Sequence, residues 1–208
     1  MEKTFLLLTF LLSNLLYAQG DYDQGMKQAF QLWEDGNNNE ASALFERIAS
    51  AEKDNWLPNY YVALINTTSA FQTKDGKEVE ILLSKAQTAL DKELNKNPEN
   101  PELLVLQAMI HTARIAYDPM TNGQTLSGKV MSLYQKAETI APENPRVILS
   151  KAQFELGSAR FFGTDTTPIC AQIRNSIILF DNFNPDSPFH PKWGKKQAEE
   201  NLEACGKS

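Results

Sequence analysis

The chain has little of what catalysis and metal binding most often draw on. Histidine occurs twice, His111 and His190, and cysteine twice, Cys170 and Cys205, in 208 residues. None of the patterns H-E-x-x-H, G-x-S-x-G or C-x-x-C is present. The common zinc, nucleophile-elbow and dithiol chemistries therefore have no motif here. Cationic runs are missing too: acid exceeds base by 26 to 20, the formal charge is −6, and no Lys/Arg stripe interrupts that balance. Nucleic acid is thereby excluded as an expected partner, because phosphate binding needs clustered cations. Glycine and proline number ten each, ordinary for a globular chain rather than a low-complexity one. The chain is long enough for one domain with a sizeable core.

One long apolar run exists, Phe5 to Leu16, and it is too short to span a membrane, which takes ~20 residues. Met1 to Lys3 precede it and Tyr17-Ala18 follow it, the three-part layout of a secretory signal cut after Ala18. No cysteine stands at the cut, so a lipoprotein anchor is not expected. The expectation is a signal peptide over 1–18 and a single domain over 19–208, exported to the periplasm or cell envelope, with no membrane span in the mature chain.

Two pieces of the remainder repeat almost word for word: Pro98-Glu-Asn-Pro101 and Pro142-Glu-Asn-Pro145, 44 residues apart. A period of that size signals a solenoid. After each comes a long apolar-rich segment, Glu102 to Tyr117 and Arg146 to Phe162, and before each a segment with apolar residues at three- and four-residue steps. Proline at 101 and 145 sits where a first helical turn tolerates a missing N–H. The frame extends both ways. Ala29, Ala63, Ala108 and Ala152 share one position, spaced 34, 45 and 44 residues, and a small residue there lets a paired helix approach closely. Ala41, Phe45 and Ile48 mark the second helix of the first unit, and Val130, Tyr134 and Ala137 that of the third.

Position by position this resembles the tetratricopeptide repeat, a helix–turn–helix unit of 34 residues. The resemblance covers nearly all of the mature chain and implies an all-α, tetratricopeptide-like α-solenoid of about four helix hairpins, with Lys192 to Ala204 as a C-terminal capping helix. Gln107 and Lys151 depart from the family pattern where it prefers leucine, as does Glu93 where it prefers a small residue. Units two to four also carry extra residues, expected between their helices. The stretches ARIAYDPM, ARFFG and DSPFHPKWG are similar to exported repeat proteins of Bacteroidetes, which implies no particular activity.

The family's inner-groove positions fall here on Met26, Phe30, Tyr60, Leu64, Val105, Met109, Leu149 and Gln153. The Lys and Asn with which some members grip a peptide's terminal carboxylate have no counterpart at these sites. The apolar groove that remains suits an amphipathic helix or extended segment, or closes against the chain itself. His111, Arg114 and Tyr117 stand at three-residue steps and share a helix face. They read either as a polar spot on the inner surface or as partly buried helix residues. Arg114 and Arg160 recur at matching places near the ends of two long helices. Each is either an anchor for an acidic ligand or a tie to its own loop, through Asp118 and Asp165 respectively.

Gly123 to Val130 (GQTLSGKV) comes within one residue of the phosphate-binding G-x-x-x-x-G-K-[ST]. The residue that would hold magnesium is Val130 and no strand precedes the loop, so a turn between two helices is expected and nucleotide is not. The turn Asp35 to Glu40 lacks the glycine a calcium loop requires at its sixth place. No cofactor or metal is expected. Cys170 opens the second helix of unit four and Cys205 closes the last helix. Antiparallel packing would bring them side by side, and the expected compartment permits a bridge; the alternative is two buried thiols. The function that fits is a non-catalytic scaffold binding a protein or peptide of the cell envelope. A self-associating structural subunit and an enzyme with an unadvertised groove site are the alternatives.

Overall fold

A computed structural model describes residues 21–205, and among them the structure is all-α: α1 (21–34), α2 (Asn38–Ala51), α3 (Leu57–Ala70), α4 (Gly76–Leu94), α5 (Pro101–Tyr117), α6 (Pro119–Ile140), α7 (Pro145–Phe162), α8 (Thr167–Asn182) and α9 (Lys195–Cys205). The apolar run at 5–16 and the expected cut after Ala18 lie outside the described residues. Within those described, no helix is long and apolar enough to cross a membrane.

The repeated Pro-Glu-Asn-Pro turns act as helix starts. Asn100 accepts hydrogen bonds from the backbone N–H of Glu102 and Leu103, and Asn144 does the same for Arg146 and Val147. Each satisfies two donors that a helix N-terminus leaves without partners, a contribution of about 1 kcal/mol per cap. Proline then occupies the first helical position in α5 and α7. Four hairpins result, α1/α2, α3/α4, α5/α6 and α7/α8, with α9 packed on α8.

The two helices of a hairpin differ in burial. α4 buries one stripe, Val79, Leu83, Ala86, Leu90 and Glu93, as a helix facing solvent on one side must. α3 and α5 are buried nearly all round, because α5 lies against α3 and α7 as well as against α4 and α6. The first helices of successive hairpins therefore form an inner layer. Ala29, Ala63, Ala108 and Ala152 are all fully buried in it.

Extra residues in units three and four lengthen helices instead of loops. Gly123 to Gly128 lies inside α6, so the expected turn there is corrected. Asp118 alone joins α5 to α6: its side chain accepts from the Thr121 N–H, and Pro119 takes the first helical position. Asn122, which reads as a turn residue, instead donates to the Arg114 carbonyl at the end of α5. Each glycine costs the helix about 1 kcal/mol relative to alanine. The helix nonetheless continues to reach Val130, Tyr134 and Ala137, its buried residues. α9 starts at Lys195, three residues later than expected. Gly194 precedes it at φ 117°, and a Cβ there would meet the Phe180 ring at 2.6 Å.

The departures from the repeat pattern are paired polar groups. Gln107 and Gln87 exchange amide hydrogen bonds at 2.6 and 3.0 Å, Lys151 pairs with Glu138 at 2.6 Å, and buried Glu93 accepts from Asn59 at 2.6 Å. Cys170 and Cys205 form a disulfide that fastens α9 to the start of α8.

Candidate functional site

The inner surface of the solenoid is divided by the chain itself. Residues 183–194 leave α8, run across the first helices of the hairpins and deliver the chain to α9. Phe189 enters an aromatic cluster, stacked on Phe30 at 6.1 Å and edge-on to Tyr22 at 5.6 Å. Tyr61 donates its hydroxyl to the Phe189 carbonyl at 2.7 Å, and Trp193 Nε1 donates to the Tyr60 hydroxyl at 2.8 Å. Burial pushes both phenols well above their usual range, so both stay neutral hydrogen-bonding groups.

Beneath this strap lies a buried ion pair. Arg146 is fully buried and reaches the Glu102 carboxylate through Nε (2.9 Å to each oxygen) and Nη2 (2.7 Å). Asn144 donates to the same carboxylate at 2.7 Å, and the Phe183 ring covers the guanidinium at 4.4 Å. Residues 102 and 146 occupy the same place in the two repeats, two residues after the capping asparagine. His190 sits between Trp56 and Phe183, with Nε2 3.9 Å from Glu102. Burial holds its pKa below the usual histidine value, against the pull of Glu102 and with the help of Arg146.

Most of the expected groove residues do not meet solvent. Met26, Tyr60 and Leu64 lie in the core, with Tyr60 bonded to the strap, and so do Val105 and Leu149. Phe30 remains half-buried and lines a cleft of about 500 Å³ between α1 and the strap. That cleft is lined by Phe30, Trp33, Tyr61 and Trp193, with three exposed charged residues, Lys27, Lys192 and Glu34. Met109 and Gln153 line a different opening of about 400 Å³, between the C-terminal end of α3 and the middle of α5 and α7.

His111, Arg114 and Tyr117 do share one face of α5, but that face meets α4, and their placement on the inner surface is corrected. His111 Nε2 lies 3.2 Å from Gln107, Arg114 reaches Glu80 at 3.9 Å, and the Tyr117 ring packs over Gly76. Arg114 thus ties α5 to α4 and not to Asp118, whose carboxylate caps α6. Burial lowers the His111 pKa, with Arg114 and Lys129 adding to the effect. Arg160 is exposed at the end of α7, and Asp165 caps α8 by accepting from the Thr167 N–H instead of binding it. Among the described residues no group of His, Cys, Asp or Glu is arranged to hold a metal ion.

Sequence reasoning misses the strap, the Glu102–Arg146 pair and the wall residues Trp33 and Trp193. The pair leaves a signal, opposite charges at one repeat position directly after identical turns. The strap leaves a weaker one, an aromatic-rich stretch without helical periodicity.

No protein-family model matches the chain, and no curated protein matches it. Among solved structures it is similar to the HusA haemophore from Porphyromonas gingivalis, with a TM-score of 0.78 and 24% identity, covering 88% of this chain and 92% of that one. The likeness shows a shared fold over nearly the whole length of both.

Proposed function

We propose that this chain is an exported, non-catalytic binding protein of the cell envelope, cut near Gln19, whose helical-hairpin frame belongs with the tetratricopeptide solenoids. We assign its ligand to the haem class, planar macrocycles carrying carboxylates. The observation that carries this reading is the cleft between α1 and the strap, lined by the aromatic side chains of Phe30, Trp33, Tyr61 and Trp193 together with two exposed lysines, Lys27 and Lys192, against one exposed carboxylate, Glu34. Flat aromatic ligands stack on such walls, and carboxylates at their edge meet Lys27 and Lys192. The similar fold of a haemophore supports the same class. His190 backs the cleft, but its ring is directed at Trp56, Phe183 and Glu102. Phe30, Trp33, Trp193 and the two lysines would therefore hold such a ligand, with His190 already engaged by its own neighbours.

The test is titration of the purified protein with haemin, read in the Soret band and by tryptophan quenching. Saturable binding is expected, and iron-free protoporphyrin binds within a few-fold of haemin. Trp33→Ala weakens both. Reversing both lysines to glutamate weakens both by roughly tenfold, since each exposed charge contributes up to about 1 kcal/mol. Absence of saturable binding, or binding indifferent to all three positions, refutes the reading.

A peptide ligand is the second reading, favoured by the strap: this surface already carries a non-helical segment anchored by an aromatic side chain in a turn and a hydrogen bond to that residue's carbonyl. A synthetic peptide of residues 183–194 should then bind the Phe189→Ala protein, whose own strap is loosened, more tightly than the unaltered protein. Equal binding to the two removes that reading.

A further inference from the structure

We propose that the second opening, between the C-terminal end of α3 and the middle of α5 and α7, is a separate ligand site for an uncharged, largely apolar molecule carrying one hydroxyl or carbonyl group. The site does not depend on the haem-class reading, because it shares no lining residue with the cleft beside α1.

Its walls are apolar: Phe71 from the end of α3, Met109 from α5 and Phe154 from α7. Phe71 is 45% exposed, a large aromatic facing an opening of about 400 Å³ instead of the core. Volumes of that order are typical of sites for small organic ligands. None of the lining side chains is charged. A carboxylate or ammonium entering here would lose hydration with nothing to replace it, whereas a neutral molecule would not.

The floor carries an unused hydrogen-bonding group. Hydroxyls on the neighbouring helices are satisfied by their own backbone: Thr67 donates to the Ala63 carbonyl at 2.7 Å, Thr68 to Leu64 at 2.9 Å and Thr112 to Ala108 at 2.8 Å. Ser150 is different. It is 3% exposed, lines the opening, and its Oγ has no hydrogen-bond partner. A buried hydroxyl left so costs about 1–3 kcal/mol. A ligand atom that reaches it recovers part of that cost, which makes the site selective for a molecule with one polar group at its buried end. Gln72, Gln153 and Gln197 supply neutral amides around the rim.

The geometry is tested by amide chemical-shift mapping of the purified protein with three probes of one shape: 2-naphthol, 2-methylnaphthalene, which lacks the hydroxyl, and 2-naphthoate, which is anionic. 2-Naphthol should shift resonances around Met109, Ser150 and Gln153 and bind roughly five- to tenfold more tightly than 2-methylnaphthalene, the worth of one hydrogen bond. 2-Naphthoate should bind more weakly than 2-naphthol. Ser150→Ala should bring 2-naphthol to the level of 2-methylnaphthalene and leave the latter unchanged, and Phe71→Ala should weaken both. The lysine reversals at 27 and 192 should leave all three affinities as they were, so that failure here and failure of the haem-class reading are told apart. Shifts located elsewhere, 2-naphthoate binding as tightly as 2-naphthol, or a hydroxyl preference that survives Ser150→Ala overturns the proposal. Should the Ser150 variant not fold, the three-probe comparison on the unaltered protein and on Phe71→Ala still decides it.

Discussion

Removing either partner of the Glu102–Arg146 pair should be far more damaging than removing both. Arg146 is fully exposed to protein and not at all to water, Glu102 is 2% exposed, and three guanidinium contacts of 2.7–2.9 Å join them. Arg146→Met keeps much of the side-chain volume but leaves a buried carboxylate that still accepts from Asn144. A buried pair broken from one side costs about 3–5 kcal/mol, because the surviving charge has lost its counterion without regaining water. Glu102→Leu leaves the guanidinium in the same position and should cost a similar amount. Together the two substitutions replace the pair by apolar groups under Phe183, which is neutral or stabilising in comparable settings. The double variant should therefore lie within about 1 kcal/mol of the parent or above it. In a domain of this length the single variants lower the melting temperature by roughly 6–20 °C, at about 2–4 °C per kcal/mol. Urea unfolding followed by circular dichroism, with all four proteins in one cycle, gives the coupling directly. Additive losses in the double variant would refute the reasoning, since they would mean that each charge is stabilised by something other than its partner.

Three further outcomes are expected. Reducing the Cys170–Cys205 bridge, or Cys205→Ser, opens a loop of 35 residues and should lower stability by up to about 4 kcal/mol on the chain-entropy estimate; hydrogen exchange should rise first in α9, and an unchanged α9 would contradict this. His190 takes its proton less readily in the folded chain than in the unfolded one, so its share of stability is complete above pH ~6.5 and is lost as pH falls through its depressed folded value; an NMR titration of its ring that shows an ordinary or raised midpoint would reverse the sign. Mass analysis of the native protein should find an N-terminus near Gln19, and an intact Met1 in cytoplasmic material would defeat the export proposal.

The helical frame was legible in the sequence because its causes are local and repeated. Capping asparagines, N1 prolines and a buried alanine at one recurring place act within a turn or between adjacent helices, so period and spacing expose them. The disulfide was foreseeable for the same reason, as Cys170 and Cys205 stand at the ends of helices joined by one connection. Even locally, glycines misled: Gly123 and Gly128 read as a turn, yet a cap at Asp118 and the burial of Val130 and Tyr134 carry the helix through them. The site was decided elsewhere. Repeat frame alone assigns Met26, Tyr60 and Leu64 to an open groove, but all three are buried, and Tyr60 is bonded to a strap from the far end of the chain that Tyr61 and Trp193 hold over separations of 128 and 133 residues. No periodicity records which distant segment will fill an apolar surface, since many sequences can supply the anchoring side chain. Likewise the face of α5 bearing His111, Arg114 and Tyr117 was correctly read as one face, but which neighbour it meets depends on the angle at which hairpins stack. That angle is set by the summed packing of whole helices, which the tertiary structure alone expresses.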